Sequence, residues 1–275
     1  MPEAPDLQVI LEFLEPRLTG RVVTGAREVK PLVLRNLTGK PFGDDIAGRT
    51  VEKIRRHGKL LFFDLSDDRL LLINPMLTGG LRYTDPSEKI LATTHVIIDF
   101  EGDRQLRYFD QKKMGMVYYL RPEQVNDTPR VDEQGPDVLD EPLSLEDFRT
   151  ALRPFRGEIK GILTRGRLVS GVGNAYADEI LHAAMIFPYK KRTRLTDEEV
   201  ERLHEATYNV PRSALEVLRR EIGDAIHKKV RSFLAVHRKG GQSCPRCGYT
   251  ISAITANRRE TNFCRKCHPG ILVNN

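Results

Sequence analysis

Hydrophobic positions change their period near the middle of the chain. Over the first 120 residues they fall into short β-branched or aromatic runs: VVTGAREV (22–29), LLFFDL (60–65), LLLINPML (70–77), HVIIDF (95–100), LRYFD (106–110) and MVYYL (116–120). Turn signals such as DD, GG, DPS and EGD separate them, so this half predicts strands. One helix precedes the strands, because Leu7, Ile10, Leu11 and Leu14 recur at helical spacing, and Pro16 is expected to limit it. From residue 144 the pattern is helical: LSLEDFRTALR, NAYADEILHAAM, TDEEVERLHEATYNV and then a segment around PRSALEVLRREI. Ser144, three residues ahead of Asp147, predicts an N-terminal cap. The stretch RPEQVNDTPRVDEQGPDVLDEP between the halves is rich in proline and acids, lacks periodicity, and reads as a linker. The expected division is a β-rich domain over 1–121, a linker over 122–143, a helical domain over 144–236 and a terminal module over 237–275.

The length of 275 residues suits about two domains with cores of their own. No window approaches the roughly 20 apolar residues that cross a bilayer, and MPEAPDLQVI has neither a basic n-region nor an apolar h-region. A cytosolic protein is expected. Lysine plus arginine (44) exceeds aspartate plus glutamate (38), for a net charge of +6. The distribution says more than the sum. Ten basic side chains lie within 228–275 against one acid, Glu260, while Glu123 to Asp147 is acidic. A basic terminal face suggests a phosphate-tracking surface.

All four cysteines, Cys244, Cys247, Cys264 and Cys267, lie in the last 32 residues as C-x2-C, sixteen residues, C-x2-C. That spacing lets two knuckles present four thiolates to one zinc ion. Four thiolates leave no open coordination position, so such a zinc is structural. His268, beside Cys267, is a competing ligand on paper and is expected at the surface. At the other end, Pro2 becomes a secondary amine if Met1 is removed. An α-amino group with a pKa near about 7.7–8.0 is partly neutral at pH 7. Attack on an aldehyde-like carbon would then make a charged iminium, an electron sink. Glu3 beside it can act as acid or base. In SGVGNAYADEIL (170–181), two glycines allow close backbone approach and Asn174 opens a helix, an arrangement suited to phosphate. It is not a dinucleotide fingerprint, since the third glycine and the βαβ context are missing.

Together MPEAPDL, GKLLFFDL, NPMLTGGLRY, IKGILTRGRLVSGVGNAYADEIL and CPRCG…RRETNFCRKC resemble, in order and spacing across the whole chain, the Fpg/Nei DNA glycosylases. The resemblance implies an α+β protein: a β-sandwich-like N-terminal domain, then a helix-two-turn-helix domain with a four-cysteine zinc finger, and DNA held between them. It assigns Pro2 as the nucleophile on C1′, Glu3 as the acid that assists sugar ring opening, and Lys59 as a phosphate contact that supports the lyase step. Asn174, Arg259 and Lys160 match phosphate-gripping residues. Leu77, with Met76 beside it, stands at the hydrophobic wedge that fills the gap left by a flipped base.

Departures from the family pattern bear on substrate. The second insertion loop, commonly Asp-Pro-Arg-Arg-Phe-Gly, here reads Asp110 to Gly115 as DQKKMG. Lys112 therefore replaces an arginine that reads the opposite base, and Met114 replaces an aromatic wedge. Lysine lacks the planar fork of arginine. The segment Ile222 to Val236 is short for a loop that caps 8-oxoguanine, and Arg165 and Gly166 replace the usual Asp-Gln pair. The expectation is a monomeric, bifunctional glycosylase and abasic-site lyase acting on formamidopyrimidines, 8-oxoguanine or oxidised pyrimidines in duplex DNA. It would finish by β,δ-elimination, carry one structural zinc, and sit in the cytoplasm or prokaryotic nucleoid. Two rivals differ in class. A non-catalytic zinc-finger DNA clamp of the same fold would be favoured by loss of Pro2, Glu3 or Lys59. A metal-dependent nuclease would need clustered acids or histidines with open coordination, and the sequence shows none.

Overall fold

The computed structural model describes residues 1–129, 131–256 and 259–270, so Arg258 of the basic segment and the last five residues lie outside it. The chain divides into two compact units. The first holds residues 1–132 and 218–230, and the second holds 133–217 and everything from 231 on.

The first unit contains two sheets. In the larger, β4 (Leu60–Leu65) pairs antiparallel with β5 (Arg69–Asn74), and β9 (Met116–Leu120) pairs with the other edge of β5. The register sets Leu61 against Ile73, and Phe63 against Leu71, which also faces Tyr119. With a side-chain period of two, those five share one face. Leu60, Phe62, Leu70, Leu72 and Leu120 form a buried cluster with Val125 and Val131 packed against it. Both faces are covered, which is why LLFFDL is a continuous apolar run and not an alternating one. Helix α1 (Ala4–Leu18) packs on β3 (Val51–His57) and β4. The smaller sheet is ordered β1 (Val23–Glu28), β7 (Thr94–Phe100), β8 (Arg104–Asp110), β6 (Gly79–Thr84).

Three strands of the first unit escaped the apolar-run signal. β2 (Leu34–Asn36) is a short parallel edge on β9. β3, VEKIRRH, is the other edge of that sheet, where charge is tolerated, and its Arg55 pairs with Asp64 of β4 at 2.9 Å. β6 begins in the Gly-Gly that reads as a turn.

Proline misled the helix boundaries. α1 continues past Pro16 to Leu18, its last turn closed by Thr19 N–H donating to Glu15 O (3.0 Å). The segments divided at Pro211 form one helix, α6 (Asp197–Ile222). In the second unit, α3 (Leu145–Leu152) is capped as expected, with Asp147 N–H donating to Ser144 Oγ (3.1 Å). A helix that the pattern did not signal, α4 (Ile159–Arg165), ends at Gly166 with φ +83°. α5 (Asn174–Ala184) follows, and the chain closes with the hairpin β10 (Ile251–Ala256) and β11 (Arg259–Cys264). The region read as linker is partly packed: Val138 is fully buried, and its N–H donates to Ser170 O (3.1 Å).

One buried charge network locks the first unit. Asp45, on the short helix α2 (Phe42–Ile46), accepts from Arg69 Nε (2.6 Å), Tyr119 Oη (2.9 Å) and Arg49 (3.2 Å). Burial alone would raise the carboxyl pKa, but these donors, Arg69 foremost, hold it well below the aspartate value of 3.8. Asp45→Ala would strand the buried Arg69 and is expected to cost about 3–5 kcal/mol in urea unfolding. Because the folded pKa is depressed, this stabilisation is complete above pH 3.8 and is lost as pH falls through the folded value. Unfolding curves for wild type and Asp45→Asn should therefore converge in acid; a constant gap down to about pH 2 would refute the assignment.

Candidate active site and nucleic-acid interface

The head of α1 places the first candidate residues. Glu3 is its N-cap and is buried, and the Glu3 N–H donates to Asp6 Oδ2 (2.8 Å). Pro2, also buried, lines a crevice of about 10 Å³. The same crevice is lined by Asp6, Gly79, His227, Lys228 and Lys229. Lys59 sits in the β3–β4 turn, whose Gly58 has φ +57°. That turn is tied to α1 through Arg56, which donates to Gln8 Oε1 (3.0 Å) and to Gly58 O (2.9 Å).

Two loops carry the exposed apolar tips. In the first, Met76 adopts a left-handed φ of +49°, held by its N–H on Asn74 Oδ1 (3.2 Å), and exposed Leu77 follows. In the second, Lys113 has φ +54° and exposed Met114 follows. Left-handed backbone is costly for residues with a Cβ and persists where the surroundings enforce it. Here the enforcing group is Asp110. Its carboxylate accepts N–H bonds from Lys112 (3.1 Å), Met114 (2.8 Å) and Gly115 (2.7 Å), and Thr78 Oγ1 of the first loop donates to it as well. Burial opposes ionisation of Asp110, yet the Thr78 and backbone donors keep its pKa lowered. Beneath both loops the Tyr108 hydroxyl fills the space beside Gly79 and Gly115, so a Cβ on either would collide with it. Lys112 is exposed at the second tip.

The second unit assembles a different cluster. Asn174 opens α5, and its Nδ2 donates to Glu260 O (2.8 Å) in β11, next to exposed Arg259. Lys160 of α4 does not point outward. Its ammonium pairs with Asp178 Oδ1 (2.6 Å) and donates to Thr261 Oγ1 (2.7 Å) and Glu260 O (3.2 Å). Asp178 Oδ2 also meets His237 Nδ1 at 2.8 Å. Neighbouring Glu179 accepts the N–H groups of residues 235, 236 and 237 at 2.7–2.9 Å. Asn174 and Lys160 thus grip one carbonyl and hold the Arg259 strand.

Cys244, Cys247, Cys264 and Cys267 converge with their sulfurs within 4.8 Å of one another. Cys244–Cys267 and Cys247–Cys264 are 3.9 and 3.4 Å apart. Tetrahedral ligation with metal–sulfur bonds of about 2.3 Å needs sulfurs about 3.8 Å apart, so the donor set fits a metal. The Tyr249 backbone lowers the Cys247 pKa to about 7, while burial pushes Cys267 up to about 12. His268 is not at the surface. It is 1% exposed, and its Nε2 lies 3.0 Å from His182 Nδ1 behind the cluster. An aromatic shell of Phe187 and Phe263 buries that face.

Pro2, Glu3, Lys59, Leu77, Lys112 and Met114 all lie in the first unit, and Lys160, Asn174, Arg259 and the four cysteines in the second. His227, Lys228 and Lys229 had no motif to mark their part in the Pro2 crevice. They reach it because the segment after α6 belongs to the first unit. Asp178 and Thr78 were equally silent, being single polar residues whose partners are remote in sequence.

These features define a class: a β-rich unit whose leading helix is headed by proline and glutamate, with a helical unit ending in a four-cysteine hairpin. Residues 1–117 match the formamidopyrimidine-DNA glycosylase N-terminal domain and residues 134–226 its H2TH domain. A formamidopyrimidine-DNA glycosylase of Desulforamulus reducens is 34% identical over 97% of this chain and 99% of its own. One of Symbiobacterium thermophilum is 31% identical over 98% of this chain and 90% of its own. Among solved structures, Lactococcus lactis Fpg in complex with DNA containing an abasic site superposes with a TM-score of 0.88 at 29% identity, covering 98% of this chain and all of that one. A complex of Lactococcus lactis Fpg with DNA containing Fapy-dG gives 0.86 at 29% identity, covering 97% of this chain and 99% of that one. The chain belongs to the Fpg/Nei family of DNA glycosylases.

Removing the shared acceptor between the two loops should free both tips. Asp110→Ala is expected to destabilise the protein by about 2 kcal/mol and to accelerate amide exchange at residues 112–115. Unchanged exchange there would show that the loops hold their shape without it.

Proposed function

We propose that this protein is a bifunctional DNA glycosylase and abasic-site lyase acting, as a monomer, on oxidatively damaged bases in duplex DNA. Formamidopyrimidines, 8-oxoguanine and oxidised pyrimidines form its substrate class. The observation that carries the reading is the placement of Pro2 in a crevice at the head of α1, beside buried Glu3, in a chain of this family. After removal of Met1 the Pro2 nitrogen attacks C1′ and displaces the damaged base. The sugar opens with a proton from Glu3, giving an iminium. That sink acidifies C2′, and successive β- and δ-elimination releases the strand ends as phosphates. Lys59 supports these steps through a phosphate.

Leu77 and Met114 fill the gap left by the extruded nucleotide, their backbones set in advance by Asn74 and Asp110. Lys112 reads the facing strand with a point charge, which suits loose opposite-base preference. Asn174 and Arg259 hold the backbone phosphate, and Lys160 acts by fixing the strand that presents Arg259. Cys244, Cys247, Cys264 and Cys267 hold one zinc ion, which supplies structural cross-linking and no open coordination position.

Borohydride trapping on a duplex with one abasic site tests this reading directly. Protein lacking Met1 is expected to give a covalent adduct that maps to residue 2, and Pro2→Gly to lose it while still binding DNA. No adduct from DNA-bound wild type would move the protein to the class of non-catalytic clamps. Arg259→Ala should weaken binding and reduce the slope of log K against log salt by about one unit; an unchanged slope removes Arg259 from the phosphate contact. Elemental analysis should find one zinc per chain, and its removal by a chelator should unfold the hairpin.

A further inference from the structure

The proposed reaction needs a group to receive the proton that the Pro2 nitrogen sheds, and Glu3 is not that group while it carries the proton it delivers to O4′. The crevice at Pro2 has room for about one water molecule. Two side chains of its lining can take a proton, Asp6 and His227, while Lys228 and Lys229 are donors. Asp6 caps the head of α1 by accepting the Glu3 N–H at 2.8 Å, and an imidazole is a stronger base than a carboxylate. His227 is the better base.

Its position is built, not incidental. The end of α6 is clamped to α1 by Arg219, which donates to both oxygens of Glu12 at 2.7 and 2.9 Å. Arg17 and Asp224 add a second tie at 3.6 Å. Ile222 and Ile226 are buried on either side of the turn that follows, and Lys228 N–H donates to Ala225 O (2.8 Å), closing the chain around His227. Lys229 Nζ reaches Leu77 O (3.3 Å), joining this segment to the first insertion loop.

Resting on the glycosylase–lyase reading above, we propose that His227 is the catalytic base that takes the proton from the Pro2 nitrogen as that nitrogen bonds to C1′. The nitrogen lone pair forms the N–C1′ bond, and the bond to the departing group breaks with its electrons. The N–H proton passes to the imidazole, directly or through one water. The restored lone pair expels O4′, which takes its proton from Glu3, leaving an iminium on Pro2 and an imidazolium at His227. The electrostatics agree with this role. Burial, then Arg82 and Lys228, depress the His227 pKa below 6.5 against the opposing pull of Glu88. The ring is therefore neutral and able to accept a proton at pH 7.

The test is single-turnover borohydride trapping on an abasic-site duplex across pH, with protein lacking Met1, comparing wild type, His227→Gln and His227→Ala. Below the limb that the Pro2 amine itself sets, wild-type adduct formation should show a second acidic limb set by an imidazole below pH 6.5. His227→Gln should form the same Pro2 adduct at least about tenfold more slowly at pH 7, a modest fraction of what general bases supply. It should also lack that limb and bind DNA as tightly as wild type. Added imidazole should restore the rate of His227→Ala, which a purely structural role would not allow. Wild-type rate and limb in His227→Gln, or no imidazole rescue in a folded His227→Ala, overturns the base assignment alone. Failure of wild type itself to form the adduct overturns the underlying reading instead.

Discussion

A carboxylate with almost no solvent around it, Asp178, organises the second unit. An uncompensated charge at such depth is prohibitive, so its partners are obligatory. Lys160 of α4 and His237 ahead of the cysteine hairpin meet its two oxygens, and the Asn262 N–H of β11 reaches it at 3.3 Å. The consequence is geometric. Two helices and a hairpin are fixed in register, and Arg259 is delivered on a strand whose neighbouring carbonyl is held from two sides. The four cysteines, placed to hold a metal, converge at the far end of the same hairpin. The strand that carries Arg259 is thus held beside that residue by Asn174 and Lys160.

The first unit solves a related problem with the same chemistry. Two apolar tips, Leu77 and Met114, are exposed on loops that each contain a left-handed residue. Asp110 ties the loops together by accepting from Thr78 of the first and Gly115 of the second, and Tyr108 leaves room only for glycine at the loop bases. The left-handed turns at Met76 and Lys113 are the cost, met by buried hydrogen bonds elsewhere. Asp45 plays the matching structural part on the opposite sheet. In each case one carboxylate satisfied by several donors replaces what extra hydrophobic area would otherwise do.

Legibility followed the range of the interactions. Apolar runs with strong β propensity, the Ser144 cap and the cysteine spacing were all readable, because each is decided by residues close in sequence. The edge strand β3 was not, since its charges are allowed by an exposed side that only the sheet defines. Helix ends at Pro16 and Pro211 were misplaced because a missing N–H is one lost bond in a helix held by packing. His268 looked like a surface residue beside a knuckle and proved to be core, because His182 of α5 supplies its partner.

By itself the sequence determined the class of fold, the family, the four cysteines that cluster and the identity of the residues at the head of α1, since order and spacing suffice for these. Tertiary structure alone decided which polar groups work together. It turned Lys160 inward to Asp178, joined Thr78 to Asp110 across 32 positions, and carried His227 to the crevice of Pro2, far away along the chain. The reason is physical. A buried charge or an unpaired donor must find a partner wherever the fold places one, and that partner leaves no local trace in the sequence.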